Sequence, residues 1–485
     1  MTIQDLKPAL VWGIFDEITR VPRPSKKEEK IRQYLLDFAE RHHVAVKTDA
    51  VGNVVMSRPA TPGHEDAPVV VLQGHMDMVC ESNHPFDFEN NPITTIIDGE
   101  WVHADGTTLG ADNGIGMAAS LAVMIDKDLV TGPVEALFTV DEETGMTGAN
   151  NLGEGMLEGD ILLNLDSEDD GEIFIGCAGG IDTVCTFTYK RSVAPTDFFY
   201  FRVDVSGGLG GHSGGDIHLG HANANQLLAR FLWNLSQKYE LSLIEIDGGN
   251  LRNAIARAAH AVVGVHADHK HAVMAEFNAY AAAVANEYAG LETTLKLDIQ
   301  SAERPEYAVD CETGMSVIRA IYSAPHGVIS MSRELEGLVE TSTNLASVKM
   351  VDADKIVVTT SQRSSVESRK HDIANRVEAH FQLAGAKVEH GEGYPGWQPN
   401  MNSRIMSICS DAYEELYGVK PAIKAIHAGL ECGLILEKYP NLDMASFGPT
   451  LRGVHSPSER MHIPAVERFW NQLVLILEKV AGLKK

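Results

Sequence analysis

Val69-Val70-Val71-Leu72-Gln73-Gly74-His75-Met76-Asp77 is a near-continuous apolar run that closes on a histidine and an acid. A run of this kind suits a strand buried on both faces of an α/β sheet. Two further runs, at 134–140 and 160–165, have the same character. Each stops at acids: Asp141-Glu142-Glu143 after the first, Asp166-Ser167-Glu168 after the second. The stretch 114–126, between the opening run and the run at 134–140, reads as a helix through Gly116, Met117, Ala118 and Leu121. Alternation of this sort predicts an α/β fold with an open, mainly parallel sheet and helices on both faces. Ligands in that architecture bind beyond the carboxyl ends of the strands, which is where these acids fall.

Further from the opening run, Ser25 is placed to cap a helix through Ile31, Tyr34, Leu35 and Phe38, with Glu28 closing a capping box. The pattern changes near Gly179-Gly180. Strands at 198–205, 243–246, 346–350 and 355–360 then mix with helices at 222–239, 269–288, 314–322 and 366–383. This is an α+β region, and its order suggests two similar βαβ halves without a sequence repeat to prove it. Tyr394-Pro395-Gly396-Trp397-Gln398-Pro399 reads as a linker. Beyond it, 406–417, 422–426 and 464–480 restore the α/β pattern. The expected organisation is therefore a catalytic domain in two parts, 1–180 and 394–485, with an α+β lid domain at 181–393 inserted between them.

The 485 residues exceed one ordinary core. A formal net charge of -27 repels nucleic acid and anionic membranes and favours cations. Six cysteines without a Cys-x-x-Cys pair argue against a disulfide scaffold and for a reducing compartment. The apolar run at 9–15 is stopped by Asp16 and Glu17, so it reads as an amphipathic helix rather than a signal peptide. A cytoplasmic protein is expected, with no nucleic-acid or membrane partner.

The acids and histidines supply the chemistry for a two-metal hydrolytic centre. His75 and Asp77, two apart at a strand end, share a face. One can bind metal while Asp77 fixes the ring's tautomer. Asp112 lies in the glycine-rich stretch 106–114, which lacks a phosphate-binding Gly-Lys-Ser/Thr element. It is either a helix cap or a carboxylate bridging two cations. Glu143 can ligate while Glu142 stays free to take a proton from an activated water; the bland alternative is surface acidity at a loop. Asp166 repeats the acidic strand end, and His455 either completes the site or is a surface histidine. Nitrogen and oxygen donors without thiolate suit zinc, manganese or cobalt. A serine-hydrolase elbow, Gly-x-Ser-x-Gly, is absent.

The stretches 73–79, 107–116, Glu142-Glu143 and 164–168, with 426–433 and 453–457, resemble the aminoacyl-histidine dipeptidases of the wider M20 metallopeptidase family. The resemblance covers essentially the whole chain. It implies that His75 and Asp166 hold one metal, that Glu143 and His455 hold the other, and that Asp112 bridges. It also implies Asp77 as the residue orienting His75, and Glu142 as general base. His212 would approach the substrate carbonyl, across a dimer interface or after lid closure. Asn253, Arg257, Arg363, His427 and Glu431 would bind substrate. Two divalent ions, zinc foremost, a homodimer and Xaa-His dipeptides such as β-alanyl-histidine follow as expectations. Two other functions compete. One is an M20-type amidohydrolase acting on N-acyl amino acids with the same metal ligands. The other is a noncatalytic peptide-binding protein, against which the free Glu142 argues.

Overall fold

The computed structural model of the chain describes residues 2–484. The chain forms two compact units. The first comprises residues 1–176, 397–425 and 430–485, and the second residues 177–396 and 426–429.

The first unit is built on an eight-stranded sheet. Its spatial order is Ala45–Thr48, Val54–Arg58, Val134–Thr139, Val70–His75, Ile161–Asn164, Asp443–Ser446, Glu172–Cys177 and Ala422–Ile426. Parallel pairing is concentrated at the centre. Val70–His75 lies between Val134–Thr139 and Ile161–Asn164, and Ile161–Asn164 pairs in parallel with Asp443–Ser446. The pairings outside this core are antiparallel where Val54–Arg58 meets Val134–Thr139 and where Asp443–Ser446 meets Glu172–Cys177. Every residue of the three innermost early strands is buried, as the unbroken apolar runs require when both faces are covered. In register, His75 faces Thr139 and Gln73 faces Asn164. The acids that follow each strand therefore emerge at one edge.

Helix Ala111–Ile125 packs on Val70–His75. Asp112 and Asn113 have non-helical backbone at its start. The approach is tight: a Cβ on Gly74 would lie 2.1 Å from Asn113 Oδ1, and one on Gly116 would lie 2.4 Å from it. Glycine at both positions is thus a packing requirement. Asn113 Nδ2 donates to Leu165 O at 2.7 Å, which ties the Asp112 loop to the strand carrying Asp166.

A small antiparallel sheet joins Leu451–Arg452, Arg460–His462, Trp101–Ala104 and Thr95–Asp98. It brings the late segment carrying His455 beside the loop leading to Asp112. His455 itself holds φ +61°, a left-handed conformation uncommon outside glycine.

One local expectation fails. Helix Glu29–His42 has no side-chain cap. Ser25 Oγ instead donates to Asp77 Oδ2 at 2.8 Å, and Glu28 accepts from the Lys26 and Asp141 amides. Both side chains are spent on tertiary contacts that a capping motif cannot reveal.

The second unit carries a nine-stranded sheet. Its main order is Lys296–Ser301, Phe198–Ser206, Ala259–His266, Ser242–Gly248, Val339–Val351, Lys355–Ser364, Gly179–Thr188 and Lys387–His390, with Gly327–Met331 added on Val339–Val351. Its two halves meet at Gly248 and Val348. Each half follows a β-α-β-β-α-β order with the same strand arrangement. The first strand of one half, Gly179–Thr188, precedes the whole of the other half in sequence. The suspected repeat is thus a longer unit than βαβ, with one copy nested inside the other.

Candidate metal centre

The strand ends, the Asp112 loop and the late histidine converge. His75 Nε2 lies 2.9 Å from Asp112 Oδ1 and 3.4 Å from Asp166 Oδ1. His455 Nε2 lies 3.1 Å from Asp112 Oδ2 and 3.0 Å from Glu143 Oε2. Asp112 thus presents one oxygen to each histidine. Ligand atoms of His75, Asp112 and Asp166 fall within 4.8 Å of one another, as do those of Asp112, Glu143 and His455. Two cation sites sharing Asp112 account for that arrangement. Glu142 falls in a third group with His75 and Glu143, at the margin of both sites.

Asp77 is fully buried. Its Oδ1 lies 3.3 Å from His75 Nδ1, which leaves Nε2 facing Asp112 and Asp166. Its two oxygens also accept from the backbone N–H of Glu142 at 3.0 Å and of Glu143 at 3.2 Å. One carboxylate therefore orients a ligand ring and anchors the turn that carries a second ligand and the free acid. Against the opposing effect of burial, His75, then Ser25 and the Glu142 amide, hold its carboxyl down at about 2.

The residues fit a pair of divalent cations. Four carboxylates and two imidazoles converge. Among the described residues, buried Glu143 Oε1 has no hydrogen-bond partner and buried Asp166 Oδ1 has only the long 3.4 Å approach of His75 Nε2, which is costly unless a cation meets them. Burial, then Asp112 and Glu143, pushes Asp166 up to about 7. Burial, then Asp166, Glu431 and Glu143, raises Glu142 well above the usual carboxylate range. Hydrogen bonds to Asp112 and Glu143 push His455 up to about 11. The cluster lacks positive charge, and its histidines supply it by holding protons until metal replaces them.

A pH dependence follows. The protonated forms of Asp166 and of Glu431, which burial pushes up to about 7, stabilise the metal-free fold. That contribution is fully present below the ordinary values of 3.8 and 4.5 and is lost as pH rises through about 7. The melting temperature of the metal-free chain should fall between about pH 4 and pH 7, and the gain on adding a divalent cation should widen over the same window. A gain independent of pH would contradict the repulsion inferred here.

Beneath the ligands runs a buried polar chain that the sequence reading missed. Thr139 Oγ1 and Gln73 Nε2 donate to Glu431 Oε2 at 2.7 and 2.6 Å. Asn164 Nδ2 donates to Gln73 Oε1 at 2.5 Å, and Ser446 Oγ to Asn164 Oδ1 at 2.5 Å. It crosses four adjacent parallel strands and fixes their ends relative to one another. Glu431 is 2% exposed and faces this chain and Glu142 rather than open solvent. The available signal was Gln73 and Asn164 themselves, polar residues inside otherwise apolar runs.

The other expected residues lie in the second unit. His212 Nδ1 accepts from the Gly214 and Gly215 amides at 3.2 and 3.1 Å, so the neutral ring carries its proton on Nε2. A Cβ on Gly214 would lie 2.1 Å from His427 O, which explains the glycine there. Arg363 Nη1 donates to Tyr394 Oη at 2.8 Å and its Nε to Ser213 Oγ at 3.4 Å. His427 Nε2 meets Ser342 Oγ at 2.7 Å. Burial, then Arg363, lowers His212 and brings His427 down to about 3. Arg363 thus carries the positive charge of this group, and the two histidines beside it are held neutral. Arg257 is used differently: its Nε donates to Gly208 O at 3.0 Å and its stem lies against Gly210, bracing the glycine-rich loop before His212. The Asn253 carbonyl accepts from the Ser213 amide at 2.8 Å.

A sheet whose strand ends carry two cation sites with a shared carboxylate, and a free glutamate beside them, defines a dinuclear-metal-dependent hydrolase. Residues 71–479 match the model of peptidase family M20/M25/M40. The chain belongs to that family. It is 43% identical over 480 residues to the cytosol non-specific dipeptidase of Escherichia coli (strain K12), covering 99% of each chain. The crystal structure of aminoacylhistidine dipeptidase from Vibrio alginolyticus superposes with a TM-score of 0.94 at 44% identity, covering 100% of this chain and 99% of that one. Aminopeptidase PepT from Bacillus cereus shares the fold at 17% identity, with a TM-score of 0.62 and 98% and 100% coverage.

Proposed function

We propose that this chain is a dipeptidase that cleaves Xaa-His dipeptides, β-alanyl-histidine among them, together with other dipeptides. The observation that carries the reading is near-complete coverage at 43–44% identity by two dipeptidases, joined to the ligand set around Asp112. The cations are zinc in this proposal, because imidazole and carboxylate donors suit it; manganese and cobalt are the other metals these donors accept. The working state is a cytosolic homodimer.

His75 and Asp166 would hold one cation, Glu143 and His455 the other, and Asp112 both. When bound, the cations would acidify a water and polarise the scissile carbonyl. Glu142 takes the proton of the attacking water and returns it to the leaving amine. A carboxylate raised by burial and like charge, then relieved by cations, suits both transfers. His212 donates its Nε2–H to the carbonyl oxygen as negative charge develops there. Arg363 pairs with the dipeptide's free carboxylate, with His427 and Asn253 lining the same end. Arg257 holds the His212 loop in place, and Glu431 acts on Glu142 from beneath.

The test is a direct comparison of hydrolysis of Xaa-His dipeptides and N-acyl amino acids. Dipeptides should be cleaved faster; preference for acyl amino acids would assign the chain to the amidohydrolases instead. In the same assay Arg363→Ala should raise KM by about 10- to 100-fold, as loss of a charge-assisted contact predicts. An unchanged KM would remove Arg363 from the substrate site.

A further inference from the structure

Two buried ionic side chains outside the ligand set grip the loops that carry it. Glu459 and Arg23 are each 2% exposed. The Glu459 carboxylate accepts from four successive backbone amides: Leu109 at 2.8 Å, Gly110 at 3.0 Å, Ala111 at 2.8 Å and Asp112 at 3.4 Å. Arg23 reads the same loop from the other side of the peptide. Its Nη2 donates to Gly110 O, and its Nη1 to Met76 O at 3.2 Å and Asp77 O at 2.7 Å. Room for the guanidinium comes from glycine. A Cβ on Gly110 would lie 2.6 Å from Arg23 Nη2, and one on Gly114 2.7 Å from it. Gly110 also holds φ +69°, where a side chain is strained in any case.

Burying a carboxylate next to an acid-rich site is unfavourable unless its hydrogen bonds are complete. Glu459 meets that condition only through the backbone of the Asp112 loop. It stands four residues after His455, and its amide donates to Ser456 O at 3.0 Å. The loop of the late histidine and the loop of the shared carboxylate are thereby joined through one side chain. Arg23 joins the Asp112 loop in turn to the Met76 and Asp77 backbone. We infer that Glu459 and Arg23 are a positioning pair that holds the three ligand-bearing loops at cation-binding spacing before any cation arrives. The inference rests on the ligand assignment above.

Cation titration of the purified metal-free protein by calorimetry, with Zn2+ as the probe, tests it. Glu459→Gln keeps the shape but turns an NH2 toward two of the four amides. Arg23→Lys keeps the charge but cannot span three carbonyls. In either folded variant the zinc dissociation constant should rise at least about tenfold, the range known for groups that orient ligands. A purely structural role predicts lower melting temperature with zinc affinity unchanged, and that result would overturn the inference. Hydrogen exchange on the metal-free wild-type chain gives an independent reading should the variants not fold. The amides of Leu109, Gly110, Ala111 and Asp112 should be protected without metal; exchange at the rate of exposed loops refutes preorganisation. A wild-type chain binding fewer than two zinc ions would instead strike at the ligand assignment itself.

Discussion

Glu142→Gln should retain both cations while kcat falls by about three orders of magnitude, within the range for loss of a general acid–base group. Glu142 is placed beside both cation sites yet outside the pair of triads that share Asp112. The substitution removes a proton acceptor and leaves the donors of His75, Asp112, Glu143, Asp166 and His455 untouched. Its backbone amide, which donates to Asp77, is also preserved, so the turn stays anchored. KM should move little, because the dipeptide carboxylate is recognised elsewhere. Metal content by mass spectrometry, read beside steady-state kinetics, separates the outcomes. Loss of metal would make Glu142 a ligand, and wild-type turnover would remove it from proton transfer.

The second large effect is expected at Asp112. Asp112→Asn replaces a bridging carboxylate, one oxygen toward each histidine, with an amide that offers one oxygen and one NH2. One cation site must then face a donor. Affinity should drop by more than about 100-fold, beyond the effect of altering a group that merely orients a ligand, and stoichiometry should fall from two to one or none. Activity should vanish with it. Calorimetric titration showing two tight sites in the variant would mean that the carboxylate is not shared.

The sheet and most of the ligands could be read from three apolar runs, because buried parallel strands leave no alternation and their carboxyl ends must gather. His455 was a weaker case, since nothing in Gly453-Val454-His455 announces a small sheet tying 451–462 to 95–104. The strand Asp443–Ser446 went unread as well, although it fills a central place in the larger sheet. Arg23 and Glu459 left no signal at all. Each acts by contacting backbone, and backbone partners have no sequence identity to match. Ser25 was misread for a related reason: a serine three residues before a glutamate is equally a cap or, as here, a donor to Asp77. In the second unit, the nesting of one β-α-β-β-α-β half inside the other hid the repeat from any linear scan.

The place of Asp443–Ser446 has a bearing on how the chain is made. It inserts between Ile161–Asn164 and Glu172–Cys177, strands synthesised some hundreds of residues earlier. Until it leaves the ribosome those two strands have open edges, exposed to wrong pairing. The nine-stranded unit has almost all of its chain by residue 396, so it can close first, as nascent domains do. The shared-carboxylate site cannot, because His455 and Glu459 emerge later still. Metal capture is thereby postponed until residues 455–459 have been made, and a chain terminated before them carries the early acids without ever acquiring a complete pair of binding sites.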